Sequence, residues 1–242
     1  MRKYGLIGYP LGQSKSAAYF TAKFDAEHID AIYSLYEMPT LTLPKDLDGY
    51  SVTIPYKEAI IPYLSEIDAT AAAIGAVNCV KQGKGYNTDY VGVLATLDEV
   101  LPQERSVPVK ALVFGSGGAA KAVLYALRQR GIAYCRVSRS RERGDLLYEQ
   151  ITPAIIGEYK LLINCTPLGM YNRNAIESQN KQCVDIPYRA IGSEHILFDC
   201  IYNPAETEFL RRGRLQGACT INGERMFTEQ AEQAWKIWNN EL

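Results

Sequence analysis

Short apolar runs and amphipathic segments alternate along this chain, and the alternation predicts an α/β fold. Glycine, proline or asparagine bounds most of the apolar runs, as is usual for strands. The predicted strands are Tyr4–Tyr9, Ala31–Glu37, Tyr50–Ile54, a hairpin-like pair over Gly75–Lys81 and Tyr86–Asp89, Lys110–Phe114, Ala133–Val137, a run from Leu161, Ile196–Cys200 and Cys219–Asn222. The predicted helices are Ala17–Glu27, Glu58–Leu64, Asp68–Ile74, Tyr90–Val100, Ala119–Arg130, Thr207–Arg212 and Gly223–Leu242.

Residues 49–57 join one predicted strand to a helix and carry polar groups at the junction. Pro55 suits the first helical turn, where a missing N–H costs nothing. Ser51 and Thr53 lie where the strand ends, and Lys57 lies within one turn of Thr53. In α/β proteins this edge of a sheet usually holds small ligands. The alternative interpretation is that Thr53 only caps the helix and Lys57 is a solvated surface lysine.

Further polar residues stand at the ends of other predicted elements. Ser14 and Ser16 precede the first helix beside Lys15, where they either cap it or form, with backbone N–H groups, a cradle for a carboxylate. The strand pair that follows Gly75 ends so as to present Asn78 and Asp89. Asp89 also begins a helix, so its alternative role is that of an N-cap.

The second half of the chain begins with a strand, Lys110–Phe114, that is apolar on both faces, as buried parallel strands are. The sequence GSGGAA follows at once and leads into a helix, so Gly115, Gly117 and Ala120 match the G-x-G-x-x-G/A pattern in its required context. Such glycines let the backbone approach a pyrophosphate, and the helix N-terminus supplies N–H donors. We therefore predict a dinucleotide site here.

The end of the next strand indicates which dinucleotide is bound. An NAD site usually places an acidic residue there, whereas this chain has Ser138, Arg139, Ser140 and Arg141. Guanidinium groups suit a 2′-phosphate, so the pattern favours NADP, the alternative being a solvated basic turn. The Pro/Gly loop of residues 165–170, after the strand from Leu161, is expected to border the nicotinamide. The polar segment 101–108 holds two prolines and predicts a domain boundary.

Composition narrows the class of protein. The chain has 242 residues, of which 47% are hydrophobic and 22% charged, with a formal net charge of −1. These values are ordinary for a globular protein, and without a basic run they argue against nucleic-acid binding. No apolar run approaches the length of a membrane span, and the N-terminus lacks the features of a signal peptide.

Six cysteines are scattered through the chain without any C-x-x-C spacing, and two histidines stand apart from other plausible ligands. The pattern predicts no metal site and no disulfide framework. Reduced thiols in a cytoplasmic protein are the expected state.

These features together resemble the shikimate dehydrogenase family over nearly the whole chain. The glycine loop alone occurs in many families, but Val-Thr-x-Pro-x-Lys, Asn-Thr-Asp and a C-terminal Asn-Gly with Gln, in this order, are specific. The matching segments are Gly8–Leu11 with Ser14–Ser16, Ser51–Lys57, Ile74–Asn78, Asn87–Gly92, Gly115–Lys121, Ser138–Ser140, Asn164–Met170, Asp199–Pro204, and Asn222–Gly223 with Gln230.

The resemblance implies an N-terminal α/β substrate domain and a Rossmann-type, doubly wound NADP-binding domain. The substrate domain would span residues 1–98 and be completed by the C-terminal helix at about 224–242, and the NADP domain would span 99–223. It implies reversible reduction of 3-dehydroshikimate to shikimate with NADPH, in chorismate and aromatic amino-acid biosynthesis. A monomer or homodimer in the cytoplasm is expected.

The resemblance also implies roles for individual residues. Lys57 and Asp89 would be the catalytic pair, with Lys57 acting either as proton donor or electrostatically. Substrate would be bound by Ser14, Ser16, Thr53, Asn78, Tyr202 and Gln230. NADP(H) would be bound by Gly115, Gly117, Gly118, Ala119, Ser138, Arg139, Thr166 and Gly223.

Three segments depart from the family pattern. Gln13 and Ala17 flank the serines where the family has His and Pro, Ser51 replaces Asn, and Ser138-Arg-Ser140 replaces Asn-Arg-Thr. Arg139 is retained, so the expectation of NADP stands. Two alternatives stay open. One is a quinate- or shikimate-type dehydrogenase with altered substrate or NAD use, and the other is a metabolite-binding relative without catalysis.

Overall fold

The computed structural model describes residues 1–12, 14–101, 109–171 and 182–241. The chain divides into two compact units, Met1–Asp89 with Gln230–Leu242, and Tyr90–Glu229. The predicted boundary at 101–108 lies, apart from Leu101, outside the described residues. Among the described residues no helix is both long and apolar enough to cross a bilayer.

The first unit is built on a mixed six-stranded sheet in the order β2-β1-β3-β5-β6-β4. Strands β2, β1 and β3 are mutually parallel, and β5 pairs antiparallel with both β3 and β6. The strands are β1 (Arg2–Gly8), β2 (Ala31–Glu37), β3 (Gly49–Val52), β4 (Glu66–Ile67), β5 (Cys79–Lys81) and β6 (Lys84–Tyr86). The helices that begin in this unit are α1 (Ser16–Ala26), α2 (Tyr56–Ala59), α3 (Ala69–Ile74) and α4 (Asp89–Val100).

An aromatic core joins the last turns of the chain to this sheet. Tyr4 of β1 stacks on Trp238 with ring centroids 5.0 Å apart, and Phe20 of α1 stacks on Tyr33 at 4.5 Å. Trp238 also donates from Nε1 to the carbonyl of Val80 at 3.2 Å. Aromatic pairs of this kind stabilise a core beyond the area that they bury. The C-terminal helix therefore returns to the N-terminal sheet, as predicted.

The second unit is a parallel six-stranded sheet in the order β12-β11-β10-β7-β8-β9. Numbered within the unit this is 6-5-4-1-2-3, the order of a doubly wound Rossmann sheet, which confirms the predicted fold class. Its strands are β7 (Lys110–Phe114), β8 (Ala133–Ser138), β9 (Leu146–Leu147), β10 (Leu161–Asn164), β11 (Ile196–Asp199) and β12 (Cys219–Ile221). Its helices are α5 (Gly118–Gln129), α6 (Pro153–Glu158) and α7 (Glu208–Leu215), and the last helix of the chain, α8 (Glu224–Asn239), begins here.

The structure corrects the prediction around Pro55. Pro55 precedes the helix as its N-cap and follows a cis peptide bond, so it does not occupy the first helical position. The α-helix predicted over 58–64 ends at Ala59, and a 3-10 turn, Ile61–Tyr63, follows it. Pro62 lacks the N–H that an α-helical hydrogen bond at this position would need, which explains the break. The short elements β4, β9 and α6 were also missed.

Candidate active site and cofactor site

An ion pair between Lys57 and Asp89 lies at the centre of the candidate active site. Lys57 Nζ donates to Asp89 Oδ2 at 2.6 Å. The lysine side chain is 16% exposed and the aspartate side chain 6% exposed. Lys57 is thus not a solvated surface lysine. Asp89 is the first residue of α4, where the helix dipole favours a carboxylate, and is not the residue before the helix.

Asn78 holds the second oxygen of that carboxylate. Its Nδ2 donates to Asp89 Oδ1 at 2.8 Å and to Thr88 Oγ1 at 2.9 Å. Its Oδ1 accepts the backbone N–H of Thr88 at 2.6 Å. Gln230 approaches the same amide, with Oε1 at 3.3 Å from Asn78 Nδ2. The side chains of Lys57, Asp89, Asn78, Thr88 and Gln230 therefore form one connected polar cluster, which we call the Lys57 cluster.

The local fold explains why these residues meet. Gly75 ends α3 in the left-handed conformation, with φ of 72°, which favours glycine. The chain then enters the sheet, where Val52 N–H donates to the Asn78 carbonyl at 2.8 Å and Asn78 N–H donates to the Tyr86 carbonyl at 3.0 Å. Asn78 is therefore fixed beside the end of β6, from which the chain runs directly to Asp89.

The two serines lie together at the start of α1. Ser14 Oγ accepts the backbone N–H of Ser16 at 3.2 Å, and Lys15 occupies the N-cap position without a capping side-chain bond. Among the described residues no hydrogen bond links the serines to the Lys57 cluster. Gln13 lies outside the described residues.

Thr53 and Ser51 complete this part of the chain. Thr53 does not cap α2 with its side chain, and its carbonyl accepts the Tyr56 N–H at 2.9 Å. The Thr53 methyl group lies against Gly8, where a Cβ would collide with it. Ser51 is buried on β3 opposite Cys79.

Tyr202 belongs to the other compact unit. It follows β11 and packs against Phe227 of α8 with ring centroids 4.8 Å apart. The role of Tyr202 in substrate binding stays a prediction.

The glycine loop after β7 has the shape that a pyrophosphate requires. Gly115 has φ of +108° and lies against the Cys165 carbonyl, so a side chain would be strained there. A Cβ on Gly117 would meet nothing within 4 Å, so the backbone faces open space. Gly118 and Ala119 begin α5, whose first turn holds no acidic residue and whose N-cap, Gly117, provides no capping side chain. The N–H groups at such a helix start, without a capping side chain, are suited to bind a phosphate.

The end of β8 carries a buried serine and an exposed arginine, the two residues predicted to bind the 2′-phosphate. Ser138 is buried, and its Oγ accepts the Ser140 N–H at 3.2 Å, which turns the chain after the strand. Arg139 is exposed and forms no salt bridge with any residue that the structure describes. By contrast, Arg136 of the same strand is paired with Asp145 at 2.8 Å. Arg139 therefore has its guanidinium group available for an anionic ligand.

A buried polar network orders the loop after β10. Thr166 donates from its backbone N–H at 3.0 Å and from Oγ1 at 2.7 Å to Asn164 Oδ1. Asn164 Nδ2 in turn donates to Asp199 Oδ1 at 3.1 Å. Thr207 Oγ1 donates to Asp199 Oδ2 at 2.6 Å. Burial raises the pKa of Asp199 to about 6, although these hydrogen bonds oppose the shift.

Gly223 lies where no side chain would fit. A Cβ there would overlap the Cys200 carbonyl, and the Gly223 N–H donates to the Ile201 carbonyl at 3.0 Å. The predicted cofactor residues of the second unit thus all lie at or just beyond the carboxyl ends of strands of one parallel sheet, β7, β8, β10 and β12. This is the edge where doubly wound proteins bind ligands.

Sequence reasoning missed three residues of these networks. Thr88 stands in the Asn-Thr-Asp motif but was given no role, although its hydroxyl group is buried against Asn78. Asn164 and Asp199 each end a buried apolar strand, and the family motif that contains each of them assigns it no role. A polar residue that ends a buried strand was the signal that could have identified both.

Comparison with known proteins finds relatives over nearly the whole chain. The family model for the shikimate dehydrogenase substrate binding domain matches residues 6–80. The shikimate dehydrogenase (NADP(+)) of Symbiobacterium thermophilum is 34% identical, covering 98% of this chain and 88% of that protein.

Solved structures of related enzymes also match nearly the whole chain. Shikimate 5-dehydrogenase from Thermus thermophilus, in complex with NADP(H) and shikimate, has a TM-score of 0.84 at 27% identity and covers 99% of this chain and 94% of its own. Quinate dehydrogenase from Corynebacterium glutamicum, in complex with NAD, has a TM-score of 0.82 at 25% identity with the same coverage. Full-length identity above 30% to a curated relative decides the family. The chain belongs to the shikimate dehydrogenase family.

Proposed function

We propose that the chain catalyses the reversible, NADP-dependent reduction of 3-dehydroshikimate to shikimate, a step of chorismate and aromatic amino-acid biosynthesis. The observation that carries the proposal is the Lys57–Asp89 ion pair, held by Asn78 in the unit that matches the substrate binding domain. NADPH, when bound, supplies a hydride. The residues of the chain then have to bind the substrate, stabilise the charge that forms on oxygen and supply a proton.

Lys57 performs the last two of these tasks. When the substrate carbonyl becomes an alcohol, negative charge develops on its oxygen. An ammonium group held in place before the reaction stabilises that charge without reorganisation, and it has a proton to donate. Asp89 fixes the direction of Lys57 Nζ through the 2.6 Å hydrogen bond. In shikimate oxidation the same lysine accepts the proton.

Asn78 and Thr88 position the catalytic carboxylate. Both functional ends of the Asn78 amide are engaged, because Nδ2 donates to Thr88 and Asp89 and Oδ1 accepts from Thr88. Asn78 therefore acts on the substrate chiefly by fixing Asp89 and Gln230. The remaining hydroxyl, amide and phenol groups for the substrate come from Ser14, Ser16, Thr53, Gln230 and Tyr202.

NADP(H) is proposed to bind along the carboxyl edge of the second sheet. Gly115, Gly117, Gly118 and Ala119 would hold the pyrophosphate, and Arg139 with Ser138 would hold the 2′-phosphate. Thr166 and Gly223 would line the nicotinamide end. The open space at Gly117 and the available charge of Arg139 support this arrangement.

The experiment that tests the function is NADPH oxidation by the purified protein with 3-dehydroshikimate, followed by absorbance. Lys57→Ala should reduce turnover by orders of magnitude while substrate binding changes less. Lys110→Ala is the matched control, since that lysine is half exposed and paired with Glu158 on the surface. Normal turnover by Lys57→Ala would remove the lysine from the mechanism.

Parallel reactions with quinate and with NAD test the alternative, which the likeness to an NAD-bound quinate dehydrogenase and the serine at position 51 favour. Faster turnover of quinate with NAD than of shikimate with NADP would identify the protein as a quinate dehydrogenase that uses NAD. Binding of shikimate without any turnover would indicate a relative that has lost catalysis.

We also propose that the protein works in the cytoplasm as a monomer or homodimer. The six cysteines carry no disulfide, which is the state that a reducing compartment maintains. Light scattering on the purified protein and fractionation of cells test the two parts separately.

A further inference from the structure

Two cysteines at the edge of the second sheet lie in contact. Cys165 follows β10 and Cys200 follows β11, and their Sγ atoms are 3.8 Å apart. The strand ladder continues through both residues, because Cys165 N–H donates to the Phe114 carbonyl at 2.8 Å and Cys200 N–H to the Asn164 carbonyl at 3.0 Å. Both thiols are partly exposed, whereas Cys79 and Cys135 are buried. Partial exposure is what a thiol needs to meet an oxidant.

The backbone of each of these cysteines packs against a glycine of the proposed cofactor site. The Cys165 carbonyl lies 3.2 Å from the position that a Cβ would take on Gly115. The Cys200 carbonyl leaves no room for a Cβ on Gly223. Thr166, which is ordered by Asn164, is the next residue after Cys165. A change in the position of either cysteine is therefore passed directly to residues proposed to hold NADP(H).

We propose that Cys165 and Cys200 form a reversible oxidation site, in which a hydroperoxide converts the two thiols to a disulfide and weakens NADP binding. A disulfide requires the sulfur atoms to approach to about 2.05 Å. Side-chain rotation and a small movement of the two strand ends together close the distance from 3.8 Å. That movement disturbs the fit of Gly115 and Gly223, so the effect on NADP rests on the function proposed above.

The reaction balances with hydrogen peroxide as the oxidant. One thiolate sulfur attacks a peroxide oxygen, the O–O bond breaks, and a sulfenic acid and one water form. The second thiol attacks the sulfenic sulfur, the S–O bond breaks, and the S–S bond and a second water form. The two sulfurs together lose two electrons, which reduce the peroxide, and both thiol protons leave in water. A dithiol reductant reverses the change by thiol–disulfide exchange.

The test has two readouts, and the first does not depend on enzymatic activity. The full chain is reduced, treated with hydrogen peroxide, and digested for peptide mass spectrometry. The expected product links the Cys165 and Cys200 peptides with the loss of two hydrogens. Cys165→Ser and Cys200→Ser should each abolish the link and leave a sulfenic acid on the remaining thiol, which dimedone traps. Cys219→Ser, at an exposed cysteine, is the control and should leave the link intact.

The second readout is NADP binding by calorimetry before oxidation, after oxidation and after reduction with dithiothreitol. We expect oxidation to weaken binding about tenfold, within the usual range of coupling between sites. Both single serine variants should bind NADP normally, and treatment with peroxide should not change their affinity for NADP. Absence of the link, while other cysteines oxidise, would overturn the site, and a link without loss of affinity would overturn its effect on NADP. Reduced protein that fails to bind NADP would count against the proposed function, and the peptide map would still decide the oxidation site.

Discussion

The ion pair between Lys57 and Asp89 allows the structural and catalytic contributions of one interaction to be separated. Three variants are needed: Lys57→Met, Asp89→Asn and the double variant. Methionine keeps the length of the lysine stem without its charge, and asparagine keeps the shape of the aspartate. In the wild-type protein the pair is joined at 2.6 Å, and Asp89 is the more deeply buried partner.

The burial of the two groups predicts the order of the effects on stability. Removing one partner of a buried pair costs about 3–5 kcal/mol of unfolding free energy, because the other charge stays buried and unpaired. In Lys57→Met the Asp89 carboxylate, whose side chain is 6% exposed, loses the ion pair and keeps the hydrogen bond from the Asn78 amide. This variant should therefore lose the most unfolding free energy. Asp89→Asn leaves a lysine that is 16% exposed and flexible enough to reach water, so it should lose less. The double variant, which buries no charge, should be more stable than Lys57→Met.

Catalysis should follow a different pattern from stability. Losing one preorganised electrostatic group at a reacting oxygen costs about 10²–10³ in kcat. Lys57→Met should show a loss of this size, and Asp89→Asn a smaller one, because the lysine charge remains but its direction is no longer fixed. Since the two residues act as a unit, the double variant should turn over about as slowly as Lys57→Met. Stability would thus be partly recovered while activity is not.

Urea unfolding measures the stability of the wild type, the two single variants and the double variant, and steady-state kinetics measure their kcat. The four proteins thus form a double-mutant cycle for stability and another for catalysis. Additive losses of unfolding free energy in the double variant would show that the two charges are not coupled, contrary to the geometry. Equal kcat in wild type and Lys57→Met would refute the catalytic role, whatever the stability. Recovery of turnover in the double variant would show that the single variant failed by misfolding and not by loss of a catalytic group.

Three further predictions concern the supporting residues. Thr88→Val should lower the free energy of unfolding by about 1–3 kcal/mol and reduce kcat with little change in KM, because an Asn78 amide hydrogen loses its acceptor. Thr88→Ser, which keeps the hydroxyl group, should retain both stability and kcat; urea unfolding and steady-state kinetics measure the two quantities. Arg139→Ala should raise the KM for NADP about 10- to 100-fold and leave that for NAD nearly unchanged, since one charged hydrogen-bonding group is worth about 1.5–3 kcal/mol; equal effects on both cofactors would contradict the 2′-phosphate assignment. Burial raises the pKa of Asp199 from 3.8 to about 6, so between these pH values the native state binds more protons than the unfolded state. The free energy of unfolding should therefore fall by about 3 kcal/mol as pH rises from 4 to above 6. Asp199→Asn, whose amide can donate to Thr207, should lack this fall, and the same pH dependence of unfolding in wild type and variant would refute the shift.

The sequence predicted the fold because its local patterns agree with one another. The strand Lys110–Phe114 has the predicted bounds, since the four consecutive apolar residues after Lys110 present apolar side chains on both faces, as the interior of a parallel sheet requires. The glycine loop after it predicted a dinucleotide site, and the family resemblance implied the doubly wound topology. The prediction was wrong at Pro55, because periodicity gives no information about which side of a helix boundary a proline occupies.

The polar networks were harder to predict than the elements that carry them. Lys57 and Asp89 were paired through the family resemblance, and residue spacing alone left both with capping or surface roles. Thr88 received no role, because a threonine beside a helix start is more often a local cap than a partner of a distant amide. Hydrogen-bond partners depend on which residues lie opposite one another, and this follows from strand register.

In this protein, strand register at one turn determines the arrangement of the Lys57 cluster. Strands β5 and β6 are joined by Gln82 and Gly83, both with positive φ, and the turn sets Lys81 opposite Lys84 and Cys79 opposite Tyr86. Continuing that register by one residue places Asn78 beside the segment that leads to Thr88 and Asp89. A glycine at the second turn position is a recognised hairpin signal, so the cluster follows from a short sequence feature once the register is derived. The same reasoning, applied to β10 and β11, aligns Asn164 with Asp199 and so brings Cys165 next to Cys200.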